Sequence, residues 1–327
     1  MPSTPADHPK AAETTAASAT TLSDVHPDII QTHILTRLAG PAIASAATTC
    51  SQLHTLASHE PLWKKTCHAT WPSTLAPRVR DVIDTFPEGH RSFFADSFPS
   101  PCVSKILPRN PHSRELISAV DLFHGERLIL SKVVETETAT EWFRCSPFRI
   151  DVVDPKDAVR AGVTYPVDEA TCRELEEKLR LTWVVIDPAA RRAVDVSSGT
   201  AVAVEKHWLS GEVVVRFSTA AGEEALCGVA VTWGTEMQVR EVSLQMEDLD
   251  GMQMNGRESL VILQGALRGT RKKKKEGGEG FREFLKRKKE RKEGKVRAEG
   301  RLDMVCVGLV VLAIVSSSLL VFWRWHH

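Results

Sequence analysis

The sequence has none of the common catalytic signatures. There is no GxSxG, HExxH, Walker loop or GxGxxG, and the stretch GTEMQVRE at 234 to 241 lacks the glycines that would cradle a phosphate. HEPLW at 59 to 63 has no second histidine at metal-binding spacing. The seven cysteines, Cys50, Cys67, Cys102, Cys145, Cys172, Cys227 and Cys306, form no CxxC pair, and the nearest two stand seventeen positions apart. Such an odd, scattered set reads as reduced thiols facing the cytosol. Cys50 with His54 and Cys67 with His68 fit no common finger, so neither a metal nor any other cofactor is expected. Residues 1 to 21 hold one basic residue and no apolar run, which argues against a signal peptide. A transit peptide would carry Arg and avoid Asp7 and Glu13; a disordered Ala, Thr, Ser and Pro leader is the reading for 1 to 21.

The 327 residues are 42% hydrophobic and 26% charged, an ordinary globular composition with a prior of two domains. Net charge is zero, but the signs are segregated. Residues 271 to 301 hold fifteen basic and six acidic side chains, and the preceding body is acidic. The basic character is therefore local, in a linker at 268 to 302, and no nucleic-acid partner is expected.

After one further acidic residue comes MVCVGLVVLAIVSSSLLVFW, 304 to 323, without a single charge. At 1.5 Å per residue this run crosses a hydrocarbon core of about 30 Å, so residues 303 to 323 are predicted to be a transmembrane helix. A buried core helix would normally show a polar stripe, whereas the polar side chains here are only the cluster Ser316, Ser317 and Ser318. The basic run before the span predicts that the bulk of the chain stays cytosolic. With only 324 to 327 beyond it, the expectation is a tail anchor inserted after translation, the endoplasmic reticulum being the favoured membrane. FREFLKRKKERK, 281 to 292, reads first as a solvated linker. A short amphipathic turn on anionic headgroups and a nuclear localisation signal are its alternatives.

Toward the other end, LSDVHPDIIQTHILTRLAGPAIASAATTCSQLHTLASHEPLWKKTC, 22 to 67, has helical periodicity. Pro27 is placed to open a helix on which Ile30, Ile34 and Leu38 recur at i, i+4 and i+8, with Leu35 beside them. Gly40-Pro41 stops it, Ile43, Ala46, Ala47 and Cys50 give a second apolar face, and Leu53, Leu56 and Ala57 a third; Pro61 then precedes Leu62 and Trp63. Three helices this short cannot bury so much aliphatic surface among themselves, so part of it is expected to meet a partner or the rest of the chain.

This stretch resembles an F-box. The family pattern opens with Leu-Pro, continues with apolar positions on the first helix, and ends with a Val-Cys…Trp…Leu run and a Leu-Trp pair. Pro27, Ile30, Ile34, Leu35, Leu38, Ile43, Cys50, Leu53, Leu56, Leu62 and Trp63 occupy the corresponding places. His26 stands where Leu is usual, Gln31 replaces an apolar residue, Thr49 replaces Val and Leu53 replaces Trp. The likeness continues through 70 to 99, 115 to 157 and WVVIDPAARRAVDVSS (183 to 198), as in a group of plant F-box proteins with an uncharacterised C-terminal half.

That half carries short runs rich in Val, Ile, Leu, Trp and Phe at 127–134, 141–145, 148–153, 181–187, 201–208, 212–218, 225–233, 237–246 and 258–264, separated by turn text such as DPAAR and TAAGE. Val242, Leu244 and Met246 alternate with Ser243, Gln245 and Glu247, as on a strand with one wet face. A helix is expected at about 168 to 180, capped by Asp168, with Cys172, Leu175 and Leu179 on one face. ETETATE, 135 to 141, reads as a solvated hairpin tip. Trp183, Trp208 and Trp233 are expected in the core rather than in a binding groove. The predicted fold class is α+β: a three-helix F-box at 22–67, a connecting segment at 68–114, a mainly antiparallel β-domain at 115–267, sandwich or jelly-roll-like, and the C-terminal span.

The resemblance implies a non-catalytic substrate receptor of a ubiquitin ligase, with the F-box on a Skp-type adaptor, cullin and RING subunits reached through it, and the β-domain holding an unknown protein substrate. A membrane-anchored scaffold acting without a ligase is the alternative. A hydrolase is disfavoured, since nothing pairs a nucleophile with a base.

Overall fold

The computed structural model describes residues 25–98, 100–101, 113–222, 224–272 and 279–326. The leader expected at 1 to 21 and the lysines at 273 to 275 lie outside the described residues. The chain divides into two compact units, residues 1–62 and 63–327.

In the first unit Pro27 opens a helix, as its missing N–H requires, and α1 runs Pro27–Ile29. The same stretch widens to a π-helix over Ile30–Ile34 and tightens to a 3-10 turn over Leu35–Arg37. Gly40-Pro41, expected only to end that helix, also starts α2, Gly40–Ala46. Helix α3, Ser51–Ala57, is capped by the Cys50 thiol, which accepts from the Leu53 N–H at 3.5 Å. Helix α4, Glu60–Thr70, runs across the division, so Leu62 and Trp63 sit on a helix beyond the three expected.

Residues 70 to 98, read as part of a connecting segment, are packed structure in the second unit. A 3-10 turn at Pro72–Leu75 leads to α5, Pro77–Ile83, and α6, Gly89–Ser97. Trp71 meets Phe93 and Phe94 at 5.6 and 5.3 Å, and Phe94 also meets Trp63 at 5.2 Å. Cys67 donates its thiol to the His90 carbonyl, and His68 Nδ1 lies 2.8 Å from Thr74 Oγ1. Burial, with His90, Lys64 and Arg80 nearby, holds the His68 pKa below its ordinary value.

The strands follow in chain order: β1 Ser100–Pro101, β2 Glu115–His124, β3 Arg127–Glu137, β4 Arg149–Val153, β5 Val159–Arg160 and β6 Leu179–Asp187. After them come β7 Arg192–Asp195, β8 Gly199–Thr200, β9 Ala203–Lys206, β10 Val213–Ala221, β11 Ala225–Trp233, β12 Gln238–Asp248 and β13 Arg271–Lys272. One sheet is ordered β3-β2-β6-β7 with β8 beside β6, and another β4-β12-β11-β10-β9 with β5 beside β12. Each of these pairings is antiparallel. The architecture is α+β, with helices preceding an antiparallel β-domain.

Val120 and Trp183 of the first sheet share one hydrophobic core with Phe217, Val231 and Leu244 of the second. The buried Asp121 on β2 ties the Pro72–Leu75 turn to this domain, accepting from Ser73 N–H at 2.9 Å and Ser73 Oγ at 2.6 Å.

Two segments expected to be extended are helices. Residues 141–145 form α7, Glu141–Cys145, because Thr140 Oγ1 accepts the Phe143 N–H and caps a turn there. Residues 258–264 lie inside α9, Gly256–Arg268, where Asn255 and Glu258 form a capping box and Leu260, Leu263 and Leu267 recur at helical spacing into the core. The helix expected at 168 to 180 is α8, Glu169–Lys178, with Asp168 capping Thr171.

The carboxylate run at 135 to 141 is not a hairpin tip. Strand β3 continues to Glu137, Thr138 is buried, and the turn between β2 and β3 is at Gly125 and Glu126. Trp183 and Trp233 are core residues, while Trp208, expected there too, is 87% exposed in the β9–β10 turn. Ser243, expected on the wet face of its strand, is buried. The basic stretch at 281 to 292 is helical rather than a loose linker, being part of α10, Glu279–His326.

Candidate functional site

The short helices of the first unit do not bury their own aliphatic side chains evenly. An ideal α-helix would put Ile30, Ile34 and Leu38 on one face, which was the expectation from spacing. The π-turn changes this. The Leu35 N–H donates to the Ile30 carbonyl, five residues back, so Leu35 takes the place below Ile30 that Ile34 would have held. Ile30, Leu35 and Ile43 are fully buried, whereas Ile29, Ile34 and Leu38 are 49%, 43% and 36% exposed.

The remaining candidates divide in the same way. Leu56, Leu62 and Trp63 are buried, Leu53 is half-buried, and Pro27 and Cys50 are exposed. Ile29 belongs with the outward set, although the spacing argument passed over it because it precedes the first periodic position.

The outward residues form a chemically plain surface. Thr32 and Thr36 turn their hydroxyls back to the Asp28 and Thr32 carbonyls, and His26 Nδ1 accepts the Asp28 N–H. Among the described residues no group of three His, Cys, Asp or Glu is placed to hold a metal. What such a surface offers is apolar area, and covering one large aliphatic side chain contributes about 1.5–3 kcal/mol.

No protein-family model matches the chain, and no solved structure does. Curated relatives do. The chain is 42% identical over 324 residues to F-box protein At2g27310 of Arabidopsis thaliana, an alignment covering 91% of this chain and 96% of that one. Two further Arabidopsis thaliana proteins are similar. Probable F-box protein At2g36090 is 41% identical, covering 93% of this chain and 94% of its own, and F-box protein At3g44326 is 39% identical, covering 94% and 91%.

This chain belongs to the plant F-box protein family. Its departures from the usual F-box text fall at several kinds of place. His26 caps the first helix and Gln31 is half-buried. Thr49 is exposed and donates its hydroxyl to the Ala46 carbonyl, and Leu53 begins to turn inward on α3. None of these four is among the fully buried positions of this F-box protein.

Proposed function

We propose that this F-box protein is the substrate-recognition subunit of a Skp-cullin-RING ubiquitin ligase, tethered to a membrane by residues 304–323. Residues 22–67 act as the F-box and dock on a Skp-type adaptor, through which cullin and RING subunits are reached. The observation that carries this reading is the outward set Ile29, Ile34 and Leu38, on the same short helical stretch whose Ile30 and Leu35 are fully buried. Aliphatic side chains left in water along one short helical stretch suit a partner groove.

The β-domain, residues 115–267, holds the substrate, and the chain does no chemistry itself. Its contribution is proximity: it raises the effective concentration of a substrate lysine near the charged conjugating enzyme. Tethering extends the same argument to substrates of the same membrane. The C-terminal part of α10 supports the tether by its length and by its large apolar side chains from Met304 to Trp325, which are exposed as they would be on a bilayer-facing helix.

The test is purification of the full chain from detergent-solubilised membranes. Skp and cullin subunits should accompany it, and deletion of 22–67 should remove them while the chain stays in the membrane fraction. An intact chain that brings down neither subunit would leave a membrane scaffold in place of a ligase subunit.

A further inference from the structure

The basic segment before the apolar span is bound to the β-domain along one stripe. Phe284 is buried. One turn on, Lys288 Nζ stands 3.2 Å from Glu247 Oε1 at the end of β12. Arg291 Nε and Lys295 Nζ then reach the same oxygen, Asp250 Oδ1, at 3.1 and 2.8 Å. These four positions follow at i, i+4, i+7 and i+11, which is one face of a helix.

Two glycines lie at the contact. Gly251 has φ +79°, and a Cβ there would lie 2.9 Å from Lys288 Nζ; at Gly280 a Cβ would already touch Ala220. Within the helix Arg287 and Arg297 also pair with Glu283 and Glu293. Phe281, Leu285 and Lys288 also wall a groove of about 490 Å³ over the outward face of β10–β12, floored by Ser218, Gly228 and Ala230.

We propose that residues 280–295 of α10 are an electrostatic clasp that locks the β-domain to the anchor helix, so that domain and anchor turn as one body. Glu247 and Asp250 are the receiving carboxylates, Lys288, Arg291 and Lys295 the cations, and Phe284 the apolar pin. The cations hold the Asp250 carboxyl below its ordinary pKa, Lys295 through its hydrogen bond most of all, in keeping with a carboxylate kept ionised by the clasp. From Lys295 to Met304 the helix rises only about 14 Å. A clasped β-domain is thus held close to the start of the apolar segment and at a fixed azimuth, with the groove facing one way. The bilayer part of this statement rests on the tether proposed above; the clasp itself does not.

Hydrogen exchange of the full chain in lipid nanodiscs tests the clasp, and incorporation into the nanodisc reports separately on the tether. In the double variant Glu247→Lys/Asp250→Lys, amides of 281–295 should exchange about tenfold faster or more, while those of β10–β12 stay protected. Adding Lys288→Glu, Arg291→Asp and Lys295→Asp should restore the protection. Unchanged exchange in the double variant, or no restoration in the compensated one, overturns the proposal. Should the double variant lose protection throughout β10–β12, the native chain decides by salt titration. Faster exchange of 281–295 at high salt then supports the clasp, and exchange independent of salt overturns it.

Discussion

The β-domain and the N-terminal helical unit use similar apolar residues to opposite ends. On strands β10, β11 and β12 of the β-domain, Val213, Val215, Phe217, Val229, Val231, Val242 and Leu244 are all buried, so the alternating pattern of these strands is used up internally, while Trp142, Trp208 and Leu209 stand exposed outside them. In the helical unit, Ile30, Leu35 and Ile43 are buried but Ile29, Ile34 and Leu38 are not. The difference is instructive because both segments look equally hydrophobic on the page. A strand pattern closes against another sheet of the same domain, whereas helical segments of three to seven residues have too little surface to close against one another. Under the proposed function, the apolar surface left over on the helical unit is what the adaptor covers.

The comparison is broken most severely inside the β-domain. Trp183 is fully buried and its Nε1 donates to Ser118 Oγ at 3.1 Å, so Trp183→Ala should cost about 3–5 kcal/mol and lower the thermal midpoint of the domain most of any change considered. Leu35→Ala, in the helical unit, should cost about 2–5 kcal/mol of that unit's stability, read by helical circular dichroism on denaturant titration. Gly256→Ala comes next. A Cβ there would stand 2.1 Å from the Phe143 carbonyl oxygen, which forces α9 away from α7 at about 1–3 kcal/mol.

Asp121→Ala leaves the buried Ser73 N–H without its acceptor and should cost a similar 1–3 kcal/mol or so, while Asp121→Asn, which keeps an acceptor, should cost less. Burial raises the Asp121 pKa above its ordinary value, against the hydrogen bonds from Ser73 and Ser131. A carboxyl with a raised folded pKa binds its proton more readily in the native state. Its contribution to stability therefore grows as pH falls through the folded pKa toward 3.8 and declines as pH rises back. Wild type should show that pH dependence and Asp121→Asn, whose amide does not titrate, should lack it. The smallest stability effect is expected at the outward positions, where Ile34→Ala with Leu38→Ala should stay within about 0.5 kcal/mol per site.

Much of this arrangement is legible from residues alone. Pro27 marks the first helix, Asp168 the cap of α8, and the apolar run at 225–233 a strand that the structure places at the same residues. The apolar text at 258–264 misled because periodicity in a short run does not distinguish a buried helix from a strand; the decisive signal was Asn255 with Glu258 three positions on. Residues 115–124 hold a central strand that the segmentation missed, because that strand is buried on both faces and so lacks alternation. At the candidate site the composition was readable and the facing was not. A single i+5 hydrogen bond exchanges the roles of Ile34 and Leu35, and no local residue pattern announces it.

Adaptor binding by matched variants tests the account at its centre. Full-length chain in detergent would be titrated with a purified Skp-type adaptor, comparing wild type with Ile34→Ala/Leu38→Ala. The account predicts a loss of roughly a hundredfold or more in affinity, at unchanged thermal midpoint, because the outward residues are used by the partner and not by the fold. Undiminished affinity in a variant that remains folded would contradict it.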